Sequence, residues 1–248
     1  MYRFFVSPES IDEEKITITG ETARHISRSL RMAKGELVTV CDGLGEEYVC
    51  RLEDFTDDRV VVATVISHSR GESESETELR LYQAYPKGDK LDSIVMKVTE
   101  AGASAVVPFI SRRCVSRPDP ARRAKIRERL SKIALGAAEQ SHRSRIPSIG
   151  ETMSFSEMLA DAATADLVLF CYEGGEDVET TELRDILAES GKVGSISVIV
   201  GSEGGFDREE AIAAREAGAL LCGLGKRILR CETASLYAFA GICCYFGL

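Results

Sequence analysis

The sequence predicts an α/β protein in two parts: a small β-barrel over residues 1–70 and a larger domain on a mostly parallel sheet over residues 79–248. Three observations carry this. Short runs rich in β-branched residues fill the first part. A polar, acidic, Ser-rich stretch ends it, and residues 71–78 read as a linker. Beyond the linker, apolar strand-like runs alternate with segments of helical periodicity, the pattern of an α/β fold.

In the first part the clearest strands are residues 38–41, 48–52 and 59–65, with Asp42, Gly43 and Gly45 forming the turn between the first two. Regular spacing of such short strands suggests a barrel. Residues 79–85 form the first strand of the second part, closed by the Pro-Lys-Gly-Asp turn at 86–89. Leu91, Ile94, Val95 and Val98 recur at i, i+3, i+4 and i+7, which predicts a helix over 90–103. A strand at 106–110 and a strongly basic helix at 121–139 follow. Residues 167–170 and 196–200 are uniformly apolar, as strands buried on both faces are. Asp207 and Glu210 are spaced like a helix-capping pair, and the helix they open should end near Gly218. A short strand at 220–224 and a final helix at 234–246 complete the chain.

Hydrophobic residues are 44% and charged residues 29% of the 248, enough apolar material for a core, which excludes disorder as the main state. No apolar run approaches the ~18 residues of a membrane span. The opening MYRFFVSPES lacks the apolar stretch of a signal peptide, so a cytoplasmic location is expected. The eight cysteines form no C-x-x-C pair and read as free thiols. His25, His68 and His142 are scattered without ligand spacing, so no metal is expected.

Lys and Arg number 31 against 40 Asp and Glu, a net charge of −9 that by itself argues against a nucleic-acid partner. The positive charge is segregated, however. Residues 112–145 hold eleven basic side chains, including Arg122, Lys125 and Arg129, against three acids. A second run, Arg24, Arg28, Arg31 and Lys34, contains no acid. Segregated positive charge is the footprint of a phosphate-backbone partner, although either run alone reads as a solvated face.

In an open parallel sheet, ligands bind outside the carboxyl ends of the strands. Three such ends stand out: the predicted strands run into CYEGG at 171, GSEGGF at 201 and GKRILRCET at 225. Glycines there let backbone approach a ligand closely. GSEGGF is not the G-x-G-x-x-G of a dinucleotide site, and GLGKR is not a phosphate-binding P-loop. Lys226, Arg227 and Arg230 precede a helix start, where the dipole disfavours cations unless an anion binds. Cys231 has no histidine nearby in sequence to serve as its base and is not expected to be a nucleophile.

Four segments, MKVTEAGASAVVPFISRRC, AAEQSHRSRIPSI, VGSEGGFDREE and LGKRILRCETA, together with HISRSLRMAKGELVTVCDGLGEEY near the start, resemble the motifs of the RsmE-type 16S ribosomal RNA uridine-N3 methyltransferases of the SPOUT class. The resemblance covers nearly the whole chain. Ser202 stands where the family usually has Pro, Ala101 where it has Leu, and Cys231 where it has Thr. The last change removes a hydroxyl from the cofactor loop.

The resemblance implies a PUA-like β-barrel followed by a trefoil-knotted SPOUT domain, a homodimer, and S-adenosylmethionine (SAM) held by three loops. Carried onto this sequence, those loops supply Phe170, Cys171 and Tyr172, then Gly201, Glu203, Gly204 and Gly205, then Leu224, Gly225, Arg227, Ile228 and Leu229, with Thr233 and Ala234 beyond. A side chain at Gly204 is expected to block backbone approach to the cofactor. The implied substrate is one uridine near the 3′ end of the small-subunit rRNA, methylated in the assembled subunit. Arg230 is expected to hold uracil oxygens or a phosphate as negative charge develops, and Glu232 is either the base or only a helix-start acid. Arg3, Arg24, His25, Arg28, Arg31, Arg112, Arg113 and Arg143 are the expected RNA-facing residues. Beside this stand a non-catalytic RNA-binding protein of the same fold and a nucleotide-dependent oxidoreductase, which the missing fingerprint disfavours.

Overall fold

In the computed structural model, residues 1–12, 14–175 and 178–247 are described, and the chain forms two units. The first comprises Met1–Glu74 with Ala138–Ile146; the second comprises Ser75–Ala137 with Pro147–Leu248.

The first unit contains β1 (Arg3–Phe5), β2 (Lys15–Thr19), α1 (Gly20–Arg24), β3 (Leu37–Cys41), β4 (Glu46–Asp57) and β5 (Val60–Arg70). They make a five-stranded sheet in the order β1-β3-β4-β5-β2. Strict alternation along β2 sends Ile16 and Ile18 into a core with Phe4, Val38, Val40, Leu52 and Val61, leaving Lys15, Thr17 and Thr19 outside. Three register shifts bend the long β4–β5 hairpin. The predicted β3–β4 turn forms around Asp42, whose Oδ1 accepts from the backbone N–H of Leu44, Gly45 and Glu46.

Two expectations change here. The 71–78 linker is pinned, and residues 138–146 pack with the first unit instead of the second. Both follow from Glu74, whose carboxylate accepts from Arg143 Nη2 at 2.7 Å and from the N–H of Ser144 and Arg145. Burial pushes this carboxyl up, but Arg143 and the two backbone donors outweigh it and hold it below its ordinary value. Arg143 itself is only 5% exposed, and Arg3 binds Glu47 at 2.6 Å and the Arg143 carbonyl at 3.1 Å. Neither guanidinium is the exposed RNA-facing cation that was expected.

Glu74→Ala should therefore lower stability by about 3–5 kcal/mol, because it removes the carboxylate paired with a buried guanidinium. The urea midpoint checks this. Because the folded Glu74 value is depressed, its contribution is complete above the ordinary value of 4.5 and is lost as pH falls through the lower folded value. The parent and the variant should thus converge in stability in acid.

The second unit runs β6 (Glu78–Ala84), α2 (Lys90–Glu100), β7 (Ala105–Ile110), α3 (Pro120–Gln140), β8 (Ser148–Ile149), β9 (Met153–Ser154), α4 (Phe155–Ala162), β10 (Leu167–Cys171), β11 (Thr181–Glu182), α5 (Leu183–Ser190), β12 (Ser195–Val200), α6 (Arg208–Glu216), β13 (Leu220–Gly223) and α7 (Cys231–Phe246). The last residues of α3 belong to the first unit. The sheet order is β11-β13-β10-β12-β6-β7-β8, with β9 also pairing β7, and every pairing is parallel. The carboxyl ends of β10, β12 and β13 therefore open at one end of the sheet.

Local chemistry sets the helix boundaries. Asp207 and Glu210 cap α6 reciprocally, as their spacing predicts, and Ser154 with Glu157 does the same for α4. α7 begins three residues earlier than expected, because Arg230 is its N-cap and its carbonyl accepts from Thr233 and Ala234. Among the described residues, no helix is long and apolar enough to cross a membrane.

Candidate active site

The loop after β12 is a tight turn in which the Gly205 N–H donates to the Ser202 carbonyl at 2.9 Å. Two glycines are needed there for steric reasons. A Cβ on Gly201 would lie 3.0 Å from Gly205 Cα, and Gly205 has φ +61°. Gln83, fully buried at the end of β6, supports this turn from beneath. Its Nε2 donates to the Gly201 carbonyl at 3.0 Å, and its Oε1 accepts from the Ser235 hydroxyl of α7 at 2.6 Å. Phe170 packs on Phe206 with ring centroids 4.2 Å apart, giving the loop an apolar floor.

These loops enclose a cavity of about 470 Å³. Of the predicted site residues, Cys171 and Tyr172 line it from the first loop, Gly201, Glu203 and Gly205 from the second, and Leu224, Gly225, Arg227, Ile228 and Leu229 from the third, followed by the predicted catalytic Arg230 and by Ala234. Four predicted site residues do not line it. Phe170 is completely buried in the core. Gly204 faces Arg113, whose Nη1 donates to its carbonyl at 2.9 Å and whose Cβ would lie 3.1 Å from an added Cβ. Glu232 and Thr233 lie in the first turn of α7, off the wall.

Lys90, Thr180 and Glu182 line the cavity without having been anticipated. Lys90 was findable, since it follows a turn at the end of a predicted strand. So was Gln83, a polar residue at the end of the strand-like run LRLYQAY.

Lys90 organises the charges at the wall. Its Nζ donates to Glu203 at 2.7 Å and lies 3.8 Å from Glu232. The Lys87 N–H adds a second bond to Glu203 at 3.0 Å. Burial pushes the Glu203 carboxyl up, but these donors hold it below its ordinary value. Glu232 is also held low, first by its own backbone N–H at the helix start, then by the Cys231 thiol and the charges of Lys90 and Arg230. A carboxylate so stabilised is a poor proton acceptor, which favours the helix-start reading of Glu232. Burial pushes the Cys231 thiol up to about 12, and its Sγ sits 3.2 Å from Glu232, so thiolate chemistry is disfavoured.

The expected RNA-facing cations separate into two groups. Arg24, His25, Arg28 and Arg31 are exposed on α1 and the turn after it, with Arg28 paired to Asp58. Arg112 pairs with Asp207 and Glu209 at the start of α6, and Arg113 braces Gly204. Both are exposed but already engaged.

A parallel α/β unit with a glycine-walled cavity at its strand ends, in a chain that also holds a five-stranded β unit, defines the class. The RNA methyltransferase domain family matches residues 73–242, and the RNA methyltransferase PUA domain family matches residues 18–65. The ribosomal RNA small subunit methyltransferase E of Bacillus subtilis is 35% identical over 246 residues, covering 98% of this chain and 96% of that one. The protein of the same name from Synechocystis is 31% identical over 242 residues, covering 97% and 77%. Among solved structures, a ribosomal RNA small subunit methyltransferase E from Neisseria gonorrhoeae bound to S-adenosylmethionine superposes with a TM-score of 0.87 at 30% identity, covering 98% of this chain and 97% of that one. The chain belongs to the ribosomal RNA small subunit methyltransferase E family, which bears out the resemblance carried by its motifs.

Proposed function

We propose that this chain uses SAM to methylate N3 of one uridine near the 3′ end of small-subunit rRNA, in the cytoplasm, as a homodimer whose catalytic domain carries the family's trefoil knot. The observation that carries this reading is the cavity at the ends of β10, β12 and β13, in a chain whose relative of the same fold was crystallised with SAM. The cavity suits that cofactor. Its volume lies in the ~300–1,000 Å³ range of small-molecule sites. A Cβ on Gly223 would lie 3.2 Å from Thr180 Oγ1, so the wall there is kept open by the missing side chain. Exposed Met96 on α2 and Tyr237 and Tyr245 on α7, two helices that pack together, offer apolar surface for a second copy.

SAM supplies an electrophilic methyl group when bound. The chain's own residues must hold the base and manage its charge. Uracil N3 is protonated at neutral pH, so the site has to stabilise the anion left when that proton passes to solvent water. Arg230 lines the cavity and its guanidinium has no hydrogen bond or ion pair among the described residues. It is the group we assign to the developing charge on the uracil oxygens. Glu203, fixed by Lys87 and Lys90, holds the glycine turn in place. N3 is engaged in pairing within a duplex, so the target must be unpaired or flipped out.

Thermal stabilisation by SAM but not by NADPH tests the cofactor and separates this reading from the oxidoreductase; a ligand at 100 Kd adds about 2.7 kcal/mol. Methylation of purified, unmodified small subunits then tests catalysis against the non-catalytic reading. The exposed cations of α1 and its turn carry a further expectation. Replacing Arg24, Arg28 and Arg31 by Gln should flatten the slope of log K against log salt by roughly 0.7–0.9 for each phosphate no longer neutralised. Arg28 should contribute least because Asp58 already neutralises it. SAM affinity, measured by calorimetry, should not change.

A further inference from the structure

A second cavity in the same unit has about 300 Å³ and is lined by the loop after β6, by Ser116 and by one face of α3. Arg122, Lys125, Ile126 and Arg129 provide that face at i, i+3, i+4 and i+7. Arg129 is neutralised, lying 2.9 Å from Asp92 and 3.7 Å from Asp89. The charged ends of Arg122 and Lys125 have no hydrogen bond or ion pair among the described residues. Like charges one turn apart on a helix repel, and sharing a concave wall strengthens the repulsion unless an anion occupies the space. Tyr85, Leu91 and Ile126 add apolar surface to the same cavity.

The two cavities share a wall. Lys90 faces the first, and its chain neighbours Asp89 and Leu91 line the second. The Lys87 N–H, in the same loop, holds Glu203 of the first. A polymer that places one unit in the first cavity therefore has a neighbouring unit within reach of the second.

We propose that this second cavity holds a nucleotide flanking the target, with Arg122 and Lys125 on its phosphate and the apolar wall against its sugar or base. The inference rests on the proposed rRNA substrate and adds to it where the strand leaves the cofactor site. An RNA fits better than an acidic peptide because the cavity combines two cations for phosphate with an apolar wall, next to a site read as taking a nucleobase.

The test compares the parent with Arg122→Gln/Lys125→Gln and with Asp89→Asn, using the full chain. Both alter exposed side chains, and Asp89 makes no side-chain cap to α2. Affinity for unmodified small ribosomal subunits is measured across a salt series, and SAM affinity is measured separately. The double variant should bind subunits at least tenfold more weakly and lose about 1.4 from the log–log salt slope, at ~0.7 per single-strand phosphate. Its SAM affinity should be unchanged. Asp89→Asn should tighten subunit binding, because it removes a repelling carboxylate. Opposite signs from two variants are not what a structural role would give. Parent-like affinity and slope in the double variant would overturn the proposal. So would orthophosphate or a polyglutamate peptide binding this cavity as tightly as the subunits do. A parent that binds subunits but transfers no methyl would overturn the proposed activity instead, leaving the binding comparison intact.

Discussion

Arg230→Ala is expected to cut single-turnover methylation of small ribosomal subunits by about 10²–10³, the usual effect of removing one preorganised donor to developing charge. SAM affinity should stay within a few-fold. The reason lies in the backbone: Arg230 caps α7 through its carbonyl, which alanine keeps, while its side chain makes no cap bond. The substitution should therefore leave the helix start intact and remove only the guanidinium. Arg230→Lys should recover little, because a point charge does not reproduce the planar fork. Loss of SAM and subunit binding together would make Arg230 a structural residue. Turnover at the parent rate would remove it from the reaction.

Gly201→Val is expected to abolish SAM binding. Even a single Cβ at this buried position would lie 3.0 Å from the Gly205 backbone, and valine adds two methyl groups. The turn cannot keep its shape, so the cavity wall must shift. Gly204→Ala should bind SAM within a few-fold of the parent, because its Cβ faces Arg113 and not the cavity. Calorimetry on folded variants checks both. The contrast is informative because the two glycines sit three positions apart in one motif and carry opposite expectations.

That contrast also marks what could be read from the chain alone. Apolar runs such as those of β10 and β12 announce themselves because burial on both faces removes every polar position. The three strand ends followed, and with them most of the cavity wall. Which glycine of GSEGGF faces the ligand was not legible, because it depends on the turn geometry between Ser202 and Gly205. The burial of Arg3 and Arg143 was not legible for a related reason. Their partners, Glu47 and Glu74, lie 44 and 69 residues away, a distance over which composition carries no information about pairing. The two readings of Glu232 were not separable in the sequence, because its own N–H and Lys90, which hold its carboxyl low and favour the helix-start reading, are set by the fold.

The Gln83 amide has a consequence for how the protein is made. It bridges β6 to the Gly201 turn 118 residues later and to Ser235, 152 residues later. Such bonds form only after very long loops have closed, which makes them late and slow events in folding. A nascent chain still lacking α7 has no hydroxyl to occupy Gln83 Oε1 and no helix start to complete the cavity wall. The binding pocket therefore cannot mature domain-first during synthesis. It should appear abruptly, once α7 has been made and docks.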